Sequence, residues 1–459
     1  MVRTNIVNTV RNKPLGMVSE ITMNIAVLGS GYVGLVTAAV FAELGNRVVG
    51  VDIDEQRIAR LCRGESPIFE PGLDELLQSN LANGRLSFTA DTAAAVQACE
   101  VIFIAVGTPP AEDGSTNLSQ VESAARAIAE SATAHRIVVN KSTVPVGTGA
   151  LVAHILKAHA APGITFDVLS NPEFLREGTA IEDAFHPDRV VIGAANEQAA
   201  EQLADLYRPL NCSILLTDVP SAEMIKYASN TFLAVKISFA NALADLCEEV
   251  GANIHLVTAG VGADPRIGRH FLNAGIGYGG SCLPKDVDSL IAFSRTVGCR
   301  TDLFEAVREV NRQRVPRLLA RLSAQIGDLT GKTVALLGLT FKPNTDDLRE
   351  SQALELCRQL LAAGAIVRAH DPIAMERVAQ LLPAATYCTS PLEAALGADA
   401  VIVATEWAEY AALDLTALRA VMRGDLLADG RNCFTPEQAE RANLRYMGIG
   451  RSTESAETV

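Results

Sequence analysis

A surplus of basic charge is missing from this chain. Thirty-nine lysines and arginines stand against 53 acidic residues, a net charge of −14 over 459 residues. So acidic a chain is not expected to bind nucleic acid or an anionic membrane surface. It also has no apolar run of about eighteen residues, which argues against a membrane-spanning helix. Residues 1 to 22 carry some basic charge but neither a continuous apolar segment nor a small-residue cleavage site. They read as a disordered extension rather than a secretory leader, with Met23 as an alternative start. The nine cysteines (62, 99, 212, 247, 282, 299, 357, 388 and 433) include no C-x-x-C pair and no cysteine–histidine cluster at zinc spacing. No metal is therefore expected, and scattered thiols fit a reducing cytoplasm.

What is present is ordinary for a soluble enzyme, with 49% hydrophobic and 20% charged residues. The length predicts about three domains. Met23 to Gly34 is an apolar strand running into G-x-G-x-x-G (Gly29, Gly31, Gly34), followed by a helical pattern over Leu35 to Leu44 and a second strand, Arg47 to Asp52. Asp52 ends that second strand, near the spacing of an acid that holds the adenosine ribose hydroxyls. Strand, glycines, helix, strand and acid together predict dinucleotide binding. An acid there repels a ribose phosphate, which favours NAD over NADP, although Arg57 five residues on weakens that preference.

Further strands are predicted at 101–106, 136–140 and 166–169. In an open parallel sheet ligands sit at the carboxyl ends of strands. Gly107-Thr108-Pro109, Lys141-Ser142-Thr143 and Asn171 to Glu177 are therefore expected to face cofactor and substrate, or else to be plain connections. From about Asp218 a long amphipathic helix is predicted, because Ile225, Ala228, Phe232, Val235, Phe239, Leu243, Leu246 and Val250 recur at three- and four-residue steps. Such a helix would link two domains and could carry a subunit interface. Lys226 and Asn230 are neighbours on one of its faces.

Gly275 to Asp286 sets one cysteine on a glycine-rich turn. Cys282 is followed by Pro284 in a helix's first turn and by Lys285 and Asp286, a setting that favours a thiolate nucleophile. A packed structural cysteine is the alternative. A second nucleotide-fold pattern follows, with strands at 332–339, 366–371, 398–405 and 426–429. Asp371 ends its second strand, but Leu339-Thr340-Phe341-Lys342-Pro343 replaces the glycine fingerprint. This domain is not expected to hold a dinucleotide pyrophosphate in the usual way. If the ligand is anionic, Lys226, Arg269, Lys285, Lys342, Arg349 and Arg431 are the basic residues available to it. The boundaries read as 1–22 extension, 23–217 NAD-binding domain, 218–323 central helical domain with the cysteine loop, 324–450 second Rossmann-like domain and 451–459 disordered tail.

The stretches GSGYVG (29 to 34), VGTP (106 to 109), KSTVPVGT (141 to 148), SNPEFLREGTAI (170 to 181), EMIKYASN (223 to 230), FLNAGIGYGGSCLPKD (271 to 286), GLTFKPNTDDLRES (338 to 351) and DGRN (429 to 432) resemble the UDP-glucose/GDP-mannose dehydrogenase family. The resemblance runs from about Met23 to Phe434. It implies two Rossmann-like doubly wound parallel-sheet domains joined by a long central helix used in dimerisation, the second domain holding UDP. It implies the four-electron oxidation of UDP-glucose to UDP-glucuronate at the expense of two NAD⁺. Cys282 would capture the intermediate aldehyde as a thiohemiacetal, which the second oxidation turns into a thioester.

By the same resemblance Lys226 and Asn230 would hold developing oxyanions. Asp286 would act as base through a water, and Glu173 would aid hydrolysis with Thr143 placing the water, the division between the two carboxylates being open. Gly29, Gly31, Tyr32, Val33, Gly34, Asp52, Arg57, Thr108, Thr143, Glu177, Lys285 and Arg349 would contact NAD. The substrate would meet Glu173, Phe174, Leu175, Arg176, Glu177, Lys226, Asn230, Phe271, Leu272, Asn273, Ala274, Gly275, Gly279, Lys342 and Arg431, with Arg266 reaching across a homodimer interface. Asn117 stands where an acid is expected in that loop. Three alternatives stay open: the same chemistry on GDP-mannose or a UDP-N-acetyl-hexosamine, a single-step β-hydroxyacid dehydrogenase, and a sugar-nucleotide sensor without turnover.

Overall fold

The structure, a computed structural model, describes residues 22–451. The extension before Met23 and the tail after Arg451 therefore lie almost wholly outside the described residues. Arg451, read as the start of the tail, is instead buried, and its guanidinium donates to the Phe434 carbonyl and the Tyr446 hydroxyl.

The chain forms two compact units divided between Ser229 and Asn230. In the first, eight strands, β1 (Asn24–Leu28), β2 (Arg47–Val51), β3 (Leu86–Thr89), β4 (Val101–Ile104), β5 (Arg136–Asn140), β6 (Phe166–Ser170), β7 (Arg189–Gly193) and β8 (Ser213–Thr217), make a sheet of order 3-2-1-4-5-6-7-8. Pairing is parallel except between β6 and β7, where the Ser170 and Gly193 pair is antiparallel. Strands 3, 7 and 8 were not anticipated. The strands read as continuous apolar runs because both faces are covered. Ile25 and Val27 pack into one core with Phe103 and Val139, while Ala26 and Leu28 pack into the other with Ile102 and Val138.

The second unit repeats this with six strands, β9 (Thr333–Leu337), β10 (Ile366–His370), β11 (Thr386–Tyr387), β12 (Ala400–Val403), β13 (Leu426–Asp429) and β14 (Arg445–Gly448), all parallel in the order 11-10-9-12-13-14. Alternation again divides the core, Val334 and Leu336 on one side and Ala335 and Leu337 on the other. A single helix, Val219–Val250, begins in the first unit and ends in the second, and so joins the two sheet domains. In the second unit its Ala234 packs with Tyr278, Val287 and Ile291. The predicted amphipathic stripe is there, but Phe232, Phe239, Leu246 and Val250 on it are exposed in the single chain.

Candidate active site

In the first unit the glycine fingerprint turns from β1 into the Tyr32–Glu43 helix. Gly29 has φ +98°, and a Cβ on Gly34 would stand 1.9 Å from the Gly29 carbonyl oxygen, so both positions require glycine. Gly31 faces open space. Asp52 closes the β2 end, accepting from the amides of Ser30 (2.9 Å) and Asp54 (3.0 Å) and from the Arg57 guanidinium (2.9 Å). Burial pushes its carboxyl up, but these donors outweigh it and hold the group below the usual carboxylate range. Tyr32 donates to Glu70, whose carboxylate also accepts from the amides of Gly178 and Ala180, so the fingerprint is tied to the loop that carries Glu177. Val33 and Thr108 are half-buried, and Asn117 accepts from the Ser119 amide at 2.9 Å, a turn that an aspartate would make equally.

At the far ends of β5 and β6 the unit buries three charges. Lys226, on the long helix, meets Glu173 at 3.0 Å, and the other Glu173 oxygen accepts from the Leu175 amide at 2.6 Å. Lys141 donates to Asn171 Oδ1 (2.9 Å) and to the Tyr207 hydroxyl (3.1 Å), and Tyr207 in turn donates to the same Asn171 oxygen. Burial, offset in part by Glu173 and reinforced by Lys226, pushes the Lys141 ammonium down to about 8. Phe174 lies beneath the Lys226 and Arg189 cations, at 5.3 and 3.6 Å from the ring centre. Leu175 is half-buried, and Arg176 is exposed and turned onto Asp183. Thr143 is half-buried in the loop beyond Lys141, and that loop is pinned where buried Glu223 accepts from the amides of Gly147 and Gly149, each at 2.7 Å. Motif reading had assigned no role to Lys141, Asn171, Tyr207 or Glu223 individually, because each acts through a partner distant in sequence.

In the second unit Cys282 caps the Leu283–Thr296 helix, its carbonyl accepting from the Asp286 amide at 2.9 Å. Ser281 Oγ lies 3.5 Å from its sulfur. Asp286 is buried between Lys285 Nζ (2.6 Å) and Asn230 Nδ2 (2.6 Å). Asn230 is one helical turn beyond Lys226 on the same helix. The preceding loop is held from several sides: Gly275 N donates to Asn241, Tyr278 exchanges two hydrogen bonds with the Asn311 amide group, and Arg314 reaches the Gly275 carbonyl. Gly279 admits no side chain, since a Cβ would stand 2.2 Å from the Glu350 carbonyl oxygen. Phe271 sits at φ +63°, a conformation costly for an aromatic residue and held only by its surroundings. Leu272 and Ala274 are buried and Asn273 is exposed.

Arg431 donates to the carbonyls of Ala404, Gly277 and Phe341, stitching three loops of this unit together. Lys342 Nζ lies over the Phe341 ring at 5.5 Å. Arg349 and Arg266 each bond a carboxylate two residues earlier, Asp347 and Asp264. Arg269 is exposed. Among the described residues no cluster of histidine, cysteine and carboxylate could hold a metal ion.

Comparison with known proteins finds one family along most of the chain. The UDP-glucose/GDP-mannose dehydrogenase family matches in three parts: its NAD binding domain over residues 23–211, its central domain over 220–313 and its UDP binding domain over 335–436. UDP-glucose 6-dehydrogenase YwqF of Bacillus subtilis (strain 168) is 47% identical over 430 residues, 94% of this chain and 98% of that protein. A UDP-glucose 6-dehydrogenase of Rhizobium meliloti is also 47% identical, over 94% of this chain and all of its own length. The structure of a UDP-glucose dehydrogenase from Pyrobaculum islandicum superposes with a TM-score of 0.90 at 44% identity, covering 96% of this chain and 100% of that one. The UDP-D-ManNAc dehydrogenase structure from Pyrococcus horikoshii gives 0.84 at 31% identity, over 94% and 100% of the two chains. With three successive domains matched in order and relatives similar along nearly their whole length, this chain belongs to the UDP-glucose/GDP-mannose dehydrogenase family.

Proposed function

We propose that this chain oxidises the primary alcohol of UDP-glucose to the carboxylate in two successive steps and releases UDP-glucuronate. NAD⁺ supplies the two-electron acceptor in each step. The observation that carries the reading is Cys282 at the head of its helix, with Ser281 beside the sulfur and a buried Asp286 held by Lys285 and Asn230 in the next turn. The helix's positive end and the lysine favour the thiolate there.

In this reading Cys282 Sγ bonds the aldehyde carbon after the first oxidation and so keeps it from solvent. The second oxidation leaves a thioester, water adds to its carbon, and the C–S bond breaks with the electron pair returning to sulfur. Lys226 and Asn230 stabilise the oxygen that becomes anionic at each tetrahedral stage. Asp286 takes the alcohol proton through a water, while Glu173 activates the hydrolytic water with Thr143 orienting it.

The Gly29–Gly34 cradle, Asp52 and Arg57 fit the pyrophosphate and ribose of NAD⁺. Tyr32, Val33, Thr108, Glu177, Lys285 and Arg349 complete that set by resemblance. Phe174 to Glu177, Phe271 to Gly275, Gly279, Lys342 and Arg431 face the sugar nucleotide, Arg431 acting partly by holding its loops. UDP-glucose is favoured because relatives named for it are 39 to 47% identical, whereas solved structures named for UDP-D-ManNAc and GDP-mannose dehydrogenases are 31 and 32% identical. We further propose a homodimer through the exposed Phe232, Phe239 and Leu246 stripe, whose seven-residue spacing makes a helix-packing seam, with Arg266 reaching the partner's site. The cytoplasm is the compartment its thiols favour.

The test is the yield of NADH from limiting UDP-glucose with NAD⁺ in excess. Two equivalents per sugar nucleotide are expected. One equivalent, or faster turnover of GDP-mannose in a parallel assay, would overturn the assignment.

A further inference from the structure

The Lys226–Glu173 pair raises a difficulty that another buried residue resolves. Both side chains are almost fully buried and their charges meet at 3.0 Å. Alone they would form a neutral dipole, and a neutral dipole offers little to a developing anion. The buried cluster contains a second cation, however. Lys141, 7% exposed, reaches Asn171 and Tyr207 from the end of β5, and Asn171 is two residues before Glu173. Neither of its partners is a carboxylate.

We propose that Lys141 is a positioning residue that leaves this buried cluster with a net positive charge, so that Lys226 remains available to an oxyanion although Glu173 is bonded to it. The inference rests on the oxyanion role proposed for Lys226. A neutral donor could hold Asn171 as well, and Tyr207 already donates to the same oxygen. What the lysine adds is its charge. Burying an ammonium opposite neutral groups opposes folding, so the arrangement is one that stability alone disfavours. Arg189, which stacks on Phe174, and Asp188, which acts electrostatically on Arg189, are charged neighbours of the cluster. Burial also brings Lys141 close to neutrality, near pH 8. Its charge is therefore present at neutral pH and lost as pH rises through that value.

Three variants separate charge from packing. Lys141→Met is expected to lower turnover about tenfold, with little change in the Michaelis constant for UDP-glucose and a melting temperature equal to or above wild type. Lys141→Gln, which can still donate to Asn171, should be as slow as Lys141→Met. Lys141→Arg stays charged at all working pH values, so the ratio of its turnover to that of wild type should rise as pH passes 8.

Wild-type turnover in Lys141→Gln would overturn the proposal, because the hydrogen bond and not the charge would then suffice. So would a flat Lys141→Arg ratio between pH 7 and 9, or failure of all three variants to fold, which would make the lysine a structural requirement. A wild-type protein that forms no NADH removes the functional reading and this inference together. Normal wild-type turnover with an unaffected Lys141→Met removes the inference alone.

Discussion

The two sheets of this chain start from the same turn and put it to different uses. In the first, Gly29 has φ +98° and its amide donates to the Val51 carbonyl at 2.8 Å; in the second, Gly338 has φ +95° and donates to the His370 carbonyl at the same distance. An aspartate ends the neighbouring strand each time. Asp52, 8% exposed, accepts from two amides and from the partly exposed Arg57 guanidinium. Asp371 accepts from the amides of Leu339, Thr340, Ile373 and Ala374 and is fully buried. The first helix starts at Tyr32, directly after Gly31, whereas the corresponding helix of the second sheet waits until Gln352. The two sheets thus share the strand, the turn and the acid, but the second encloses its acid completely and begins its helix well beyond the turn, an arrangement less suited to a dinucleotide pyrophosphate.

The largest expected effect lies in the second unit, at the nucleophile. Cys282→Ser is expected to bind UDP-glucose normally and to release almost no UDP-glucuronate, read by calorimetry and by product analysis; turnover equal to wild type would contradict the thioester route. Next comes Gly34→Ala, whose new methyl would meet a carbonyl, with NADH formation falling on the order of a hundredfold. Gly279→Ala places the same kind of clash in the second unit. It should leave NAD⁺ affinity intact and lower kcat/KM for UDP-glucose by about tenfold or more, measured by initial rates.

The two aspartates sharpen the comparison further. Asp52→Asn should raise the Michaelis constant for NAD⁺ about tenfold with little change in melting temperature. Asp371→Asn should do the opposite, lowering stability by about 1 to 3 kcal/mol without touching NAD⁺ affinity. The smallest effect concerns pH. Because the folded Asp52 carboxyl lies below its ordinary value, the stability it contributes is full above about pH 4 and is lost as pH falls through the folded value. The small difference in melting temperature between wild type and Asp52→Asn is therefore expected to vanish on acidification and to be largest near neutrality.

How much of this was legible follows the range of the interactions. The fingerprint, Asp52 and the cysteine loop are local arrangements, and their glycines announce them. The second nucleotide fold was visible as strands ending in Asp371, although Gly338, the surviving first glycine, went unread because its companions are Thr340 and Pro343. Strand 11 is two residues long, too short for a periodic signal, and the antiparallel step between β6 and β7 has no local signature. The charge cluster of Lys141, Glu173 and Lys226 was only partly legible. Its members come from a strand end, a loop and the long helix, and nothing in the spacing of positions 141, 173 and 226 says that they meet. The exposed stripe on the helix was readable as apolar, but its exposure needed the packed structure.

The most direct test of the central contrast is a calorimetric titration of the wild-type chain with NAD⁺. Two matched sheets with one working site predict one NAD⁺ per chain, abolished by Gly34→Ala and unchanged by Gly279→Ala. Two NAD⁺ sites per chain, or one that survives Gly34→Ala, would mean that the second sheet still binds the dinucleotide despite its fully enclosed Asp371 and its displaced helix.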